Sequence, residues 1–105
     1  MKIFLDDLRV PYDKDFVVAR TDHAFKRIIL DLSDVGGSVS MISFDHDLGE
    51  HSMNGYELAH WLIAIDMDHG VLSDDFQFIV HSANPVGREN IERLLTNYLR
   101  HKKET

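Results

Sequence analysis

The chain has 105 residues, 44% of them hydrophobic and 28% charged, the balance of one globular domain with a modest core rather than a disordered segment. It has no cysteine, which excludes disulfides and thiolate metal sites and fits a reducing compartment. A net charge of -7 gives no general electrostatic pull toward duplex nucleic acid.

The opening MKIFLDDLR has too short an apolar run for a signal peptide, and no stretch is long enough to span a bilayer. A soluble, cytoplasmic protein without a membrane partner is expected. Lys2 to Leu5 reads as a first strand that stops at Asp6-Asp7. Pro11, Asp13 and Asp15 mark a loop. Phe16 to Ala19 is rich in β-formers and reads as a second strand. Thr21 is a good N-cap, and Phe25, Ile28, Ile29 and Leu32 follow at helical spacing, with an end near Ser33. After the loop Gly36-Gly37-Ser38, Val39 to Phe44 is a third strand, apolar enough to be covered on both faces.

A loop over 48–53 leads to Asn54-Gly55 and a helix carrying Leu58, Trp61, Leu62 and Ile65, with Gly70 as its stop. Phe76 to Val80 is the fourth strand. Asn84-Pro85 opens the last helix, whose apolar stripe is Ile91, Leu94, Leu95, Tyr98 and Leu99. The polar tail 101–105 is expected to fray. Strands alternating with helices predict a single α/β domain whose sheet is mainly parallel, with helices on its faces. One joint is tight: residues 6–15 must join the first two strands, and a parallel crossover usually needs a dozen residues or more. A crossover by loop alone is the favoured solution.

Three strands end in polar residues: Asp6-Asp7, then Asp45-His46-Asp47, then His81-Ser82-Ala83-Asn84. Ligands of open parallel sheets bind outside the carboxyl ends of the strands, where strand order reverses. With an order 2-1-3-4 that point lies between Asp6-Asp7 and Asp45-Asp47. Side chains alternate along a strand, so Asp45 and Asp47 share a direction if the extended chain persists, and His46 points the other way. Four carboxylates in one crevice must either have raised pKa values or hold a hard cation, and oxygen donors suit Mg²⁺, Mn²⁺ or Ca²⁺. Mg²⁺ keeps several waters and is completed by phosphate oxygens, which points to a phosphate-bearing ligand.

His81 is a candidate general acid or base, against a structural histidine at a strand end. Ser82 is placed to bind a phosphate oxygen; Asn84 caps the helix whatever else it does. Arg88, in the first turn of the last helix, gains nothing from the macrodipole. It is read as facing an anion, against a solvated surface arginine, and Arg9 follows Asp6-Asp7 closely. Trp61 and the other aromatics at helical spacing read as core.

Asp6-Asp7, the strand-end Asp47 and Ser82-Ala83 resemble the receiver domains of two-component signalling. That likeness implies Asp47 at the phosphoacceptor position, Asp6 and Asp7 as metal acids and Ser82 as the switch hydroxyl. A fifth strand with its lysine does not follow, and the helix between the first two strands is missing. The combination DDLR-x-P, SFDHDLG, NGYELAHWL and HSANPVG resembles the narrower cyclic-phosphate-processing receiver-like family. The resemblance implies a receiver-like (flavodoxin-like) three-layer sandwich with a four-stranded sheet of order 2-1-3-4 and three helices. It further implies metal-dependent hydrolysis of cyclic phosphates of nucleotides or RNA ends. In that scheme Asp6, Asp7, Asp45 and Asp47 hold Mg²⁺ or Mn²⁺, and Asp45, Asp47, His46 and His81 carry the catalysis. Ser82, Asn84, Arg88 and Arg9 bind phosphate. The alternatives are a phosphoacceptor switch using Asp47, a non-catalytic nucleotide-binding module, and an interaction module with a vestigial crevice.

Overall fold

A computed structural model describes residues 1–11, 13–49 and 51–104; Tyr12, Glu50 and Thr105, which fall in two of the expected loops and in the tail, lie outside the described residues. The elements are β1 (Lys2–Leu5), β2 (Phe16–Ala19), α1 (Asp22–Asp34), β3 (Val39–Phe44), α2 (Gly55–His69), β4 (Leu72–Val80) and α3 (Pro85–Glu104). The sheet is ordered β2-β1-β3-β4, and each neighbouring pair is parallel. Among the described residues, the 6–15 segment therefore makes its crossover without a helix. No helix among the described residues is long and apolar enough to cross a membrane.

Two elements run further than the sequence pattern indicates. β4 begins at Leu72 rather than Phe76. The polar run Ser73 to Asp75 hides this extension, and a register shift absorbs the residues between the Val39–Leu72 and Met41–Gln77 pairs. α3 continues through Glu104 instead of fraying from His101. Its last turn is held by an ion pair, Lys102 Nζ to Asp66 Oδ2 at 2.7 Å, which an apolar-stripe reading cannot see.

The helix starts follow local chemistry. Thr21 Oγ1 accepts from the Ala24 N–H at 3.0 Å. Asn54 Oδ1 accepts from the Glu57 N–H at 2.9 Å, and Glu57 Oε1 accepts from the Asn54 N–H at 3.1 Å, a reciprocal capping box. Gly70 ends α2 at φ 66°, a left-handed conformation open to glycine. Asn54→Ala should cost about 1 kcal/mol, read as a shift in the urea midpoint without a change in slope.

One face of the sheet carries Ile3 and Leu5, Ile42 and Phe44, and Val80, all buried. The register aligns them in rows. Phe25 of α1 lies 6.3 Å from Phe44 and 6.3 Å from Trp61 of α2, and Ile91 and Leu95 of α3 are buried in the same core. The three helices thus form one layer. The opposite face, with Phe4, Met41, Ser43 and Ile79, meets the 6–15 segment through Val10 and Pro11. The third layer is loop, and Ile79 remains 47% exposed.

Candidate active site

The last paired row of the three central strands is Leu5, Phe44 and Val80. One residue further on stand Asp6, Asp45 and His81, and the ladder reaches them: the Asp45 N–H donates to Leu5 O at 2.9 Å and the His81 N–H to Phe44 O at 2.9 Å. Alternation puts this row on the same face as Phe4, Ser43 and Ile79. Ligand atoms of Asp6, Asp45 and His81 all lie within 4.8 Å of one another. The cluster sits at the carboxyl edge of β1, β3 and β4, beside the reversal of strand order.

Asp6 is 1% exposed. Its Oδ1 accepts from the N–H groups of Leu8 and Arg9, each at 2.8 Å, and its Oδ2 accepts from His81 Nε2 at 2.8 Å. Burial pushes this carboxyl up, but the Arg9 and Leu8 N–H groups and the imidazole more than offset it and hold the pKa below the ordinary aspartate value. Asp45 is also buried, and its Oδ1 accepts from the His46 N–H at 2.8 Å.

His81 is fixed on three sides. Besides Asp6 it bonds Ser43 Oγ through Nδ1 at 2.7 Å, and its ring stacks on Phe4 at 4.7 Å and 6°. With Nε2 donating to Asp6, Nδ1 accepts the Ser43 hydroxyl proton. Arg9 Nη1 donates to the His81 carbonyl at 2.8 Å, and Arg9 Nε is 3.9 Å from Asp6 Oδ2. Arg20 Nη1 donates to the Asp6 carbonyl at 3.2 Å.

Glycines let the helices approach this edge. The Gly55 N–H donates to the His46 carbonyl at 2.8 Å, and a Cβ on Gly55 would land on the Asp45 carbonyl oxygen. Gly87 lies against the His46 imidazole in the same way. The loop before α2 is pinned by Asp22, whose Oδ2 accepts from the Met53 N–H at 3.1 Å. That N–H, ahead of other causes, holds the Asp22 carboxyl below its ordinary pKa.

The other sequence candidates are placed differently. β3 ends at Phe44, so alternation does not carry on to Asp47. Asp47 is 67% exposed and accepts from His46 Nδ1 at 2.9 Å, while His46 turns toward α3. Asp7 is half-buried and, like Asp47, is outside the cluster found among the described residues. Ser82 is buried, and its Oγ accepts from the Asn84 N–H at 3.1 Å. Asn84 Oδ1 caps α3 by accepting from the Gly87 N–H at 3.0 Å. Arg88 is exposed and pairs with Glu92 at 3.6 Å one turn on, the solvated-surface alternative.

Ser43, Phe4 and Arg20 belong to the site and escaped the sequence reading. Ser43 had a signal: it is a hydroxyl in an apolar strand, two residues before Asp45 and so on the same face. Phe4 had none, being one aromatic in an apolar run.

A family model described as the cyclic-phosphate processing receiver domain matches residues 1–97. No curated protein and no solved structure matches the chain.

Proposed function

Because the chain belongs to the cyclic-phosphate processing receiver domain family, we propose that it is a divalent-metal-dependent phosphoesterase acting on cyclic phosphates of nucleotides or RNA ends. The observation that carries this reading is the convergence of Asp6, Asp45 and His81 at the carboxyl edge of the sheet. A small phosphate-bearing ligand in the cytoplasm is the proposed partner.

The donor set fits a divalent cation. Two buried carboxylates that close repel one another unless a cation or proton lies between them. Their oxygens suit Mg²⁺ or Mn²⁺, and an imidazole beside them favours Mn²⁺. Asp6 and Asp45 would hold the ion. When bound, such an ion polarises a phosphoryl oxygen and lowers the pKa of a coordinated water.

The chain's own residues do the positioning. Arg9, anchored on the His81 carbonyl, offers its remaining N–H groups to phosphate oxygens. Ser82 and the first turn of α3 offer further donors at the end of β4. His81, with its ring plane set by Phe4 and its tautomer by Ser43 and Asp6, holds the Asp6 carboxylate in the orientation that the ion requires. Most of the rate must come from this arrangement of charge, since phosphoryl chemistry asks mainly for positioning and electrostatics.

The test is a screen of Mg²⁺, Mn²⁺ and Ca²⁺ against cyclic mononucleotides, RNA with a cyclic-phosphate terminus and cyclic ADP-ribose phosphates. Ring-opened product should form with at least one pair and vanish on chelation. Asp45→Asn should cut turnover by roughly two orders of magnitude. Turnover untouched by chelation would sink the proposal. A stable mass gain on Asp47 after acetyl phosphate treatment, without hydrolysis, would favour a switch.

A further inference from the structure

The open face of the sheet holds a cleft of about 470 Å³ that begins at the candidate active site. We propose that this cleft is a nucleobase subsite, so that the substrate is a nucleoside cyclic phosphate or the terminal nucleotide of an RNA rather than a cyclic phosphate without a base. This rests on the phosphoesterase reading above and narrows it.

The cleft and the cluster share residues. His81 and Arg9 line both, and Phe4, which stacks on His81 at 4.7 Å, is part of the cleft wall. A ligand with its phosphate at Asp6 and Asp45 reaches the cleft past His81 and Arg9, which adjoin Asp6. Beyond Phe4 the surface is apolar: Phe16, Met41, Ile79 and Val10 face the same space. Val10 is 77% exposed and Ile79 47%.

Apolar side chains on a sheet face left open to water are unfavourable unless something covers them. A cyclic phosphate and its ribose are polar and gain nothing from such a wall. A flat heteroaromatic base gains from both the apolar contact and the aromatic ring. The size suits it, since pockets for ligands of nucleotide size begin at about 300 Å³. At the far end Lys2 Nζ and Asp13 Oδ2 meet at 2.6 Å, supplying a donor and an acceptor to the polar edge of a base.

Methyl-labelled protein in Mg²⁺ buffer can be titrated with three probes: the vicinal cyclic phosphate of adenosine, adenosine itself, and glycerol cyclic phosphate. The nucleotide and adenosine should both shift the methyl signals of Met41 and Ile79. Glycerol cyclic phosphate should perturb only the Asp6–Asp45 edge. Ile79→Asn, on the exposed edge strand, and Val10→Asn, on the loop, should each weaken the nucleotide roughly tenfold and leave glycerol cyclic phosphate unchanged. Equal affinity for the two cyclic phosphates, with the Met41 and Ile79 methyls unmoved, would overturn the subsite while leaving the phosphate reading intact. Adenosine in the cleft, with neither cyclic phosphate at the edge, would uphold the subsite and remove the phosphate reading. Silence from all three probes would overturn both.

Discussion

Asp66→Ala should remove about 3–5 kcal/mol of stability and lower the melting temperature by roughly 15–30 °C. Asp66 lies in α2 with its side chain fully buried. Its Oδ1 accepts from the Leu72 N–H at 2.8 Å, and its Oδ2 accepts from Tyr98 Oη at 2.5 Å and from Lys102 Nζ at 2.7 Å. One carboxylate thus ties α2 to the start of β4 and to the last two turns of α3. Truncation leaves a buried N–H and a hydroxyl without an acceptor and takes the carboxylate away from Lys102, and buried donors without an acceptor are costly. Asp66→Asn keeps the shape and some of the hydrogen bonds and should cost less than half as much. Urea denaturation followed by circular dichroism measures both, and a loss below 1 kcal/mol for the alanine variant would refute the account.

The same group sets a pH dependence. Burial pushes the Asp66 carboxyl up, but Lys102, Tyr98 and the Leu72 N–H outweigh it and hold the pKa below its ordinary value. A carboxyl depressed in the folded state stabilises fully above its unfolded pKa of about 3.9 and loses that contribution as pH falls through the folded value. The gap between wild type and Asp66→Ala should therefore be constant near neutrality and narrow below about pH 4. Tyr98 works in the opposite window. Burial and the Asp66 carboxylate raise its hydroxyl pKa, so it contributes fully below its unfolded value of about 10 and loses that contribution as pH climbs higher.

Gly55→Ala should be the most damaging single-methyl change near the site. The added Cβ meets the Asp45 carbonyl oxygen, which is backbone and cannot swing aside. Either α2 shifts outward or the Asp45 peptide moves. Overpacking of this kind costs about 1–3 kcal/mol, and displacement of Asp45 should weaken cation binding by at least tenfold. Gly87→Ala is the informative contrast. There the methyl meets the His46 ring, a side chain rather than the backbone of Asp45. Its cost should lie in the same range, with cation affinity unchanged. Calorimetry with Mn²⁺ on the two variants separates the cases, and equal affinities would show that Asp45 does not hold the ion.

Much of the frame was legible in the chain itself. Apolar runs that stop abruptly at Asp6, Asp45 and His81 mark three strand ends, and the caps Thr21, Asn54 and Asn84 mark the helix starts. Those signals are local, so a linear reading captures them. Asp47 was not legible, because alternation holds only while the strand lasts, and β3 stops at Phe44. Arg88 has Glu92 at the spacing of a helical ion pair, and that bland signal outweighs the macrodipole argument. Asp66 gave no warning: its partners Tyr98 and Lys102 lie 32 and 36 residues away. The open sheet face was implicit in the helix missing between β1 and β2. Its consequence, an apolar wall beside the acidic cluster, needed the register.

That register also bears on when the site comes into being. Asp6, Asp45 and His81 are neighbours only because three strands, drawn from the beginning, middle and far part of the chain, end in one row. Contacts so distant in sequence form late in folding. A nascent chain leaves the ribosome amino end first, so Asp6 and Asp45 emerge well before His81. The complete donor set is absent from every truncated or half-folded form that lacks β4, and any chemistry it performs is confined to finished molecules.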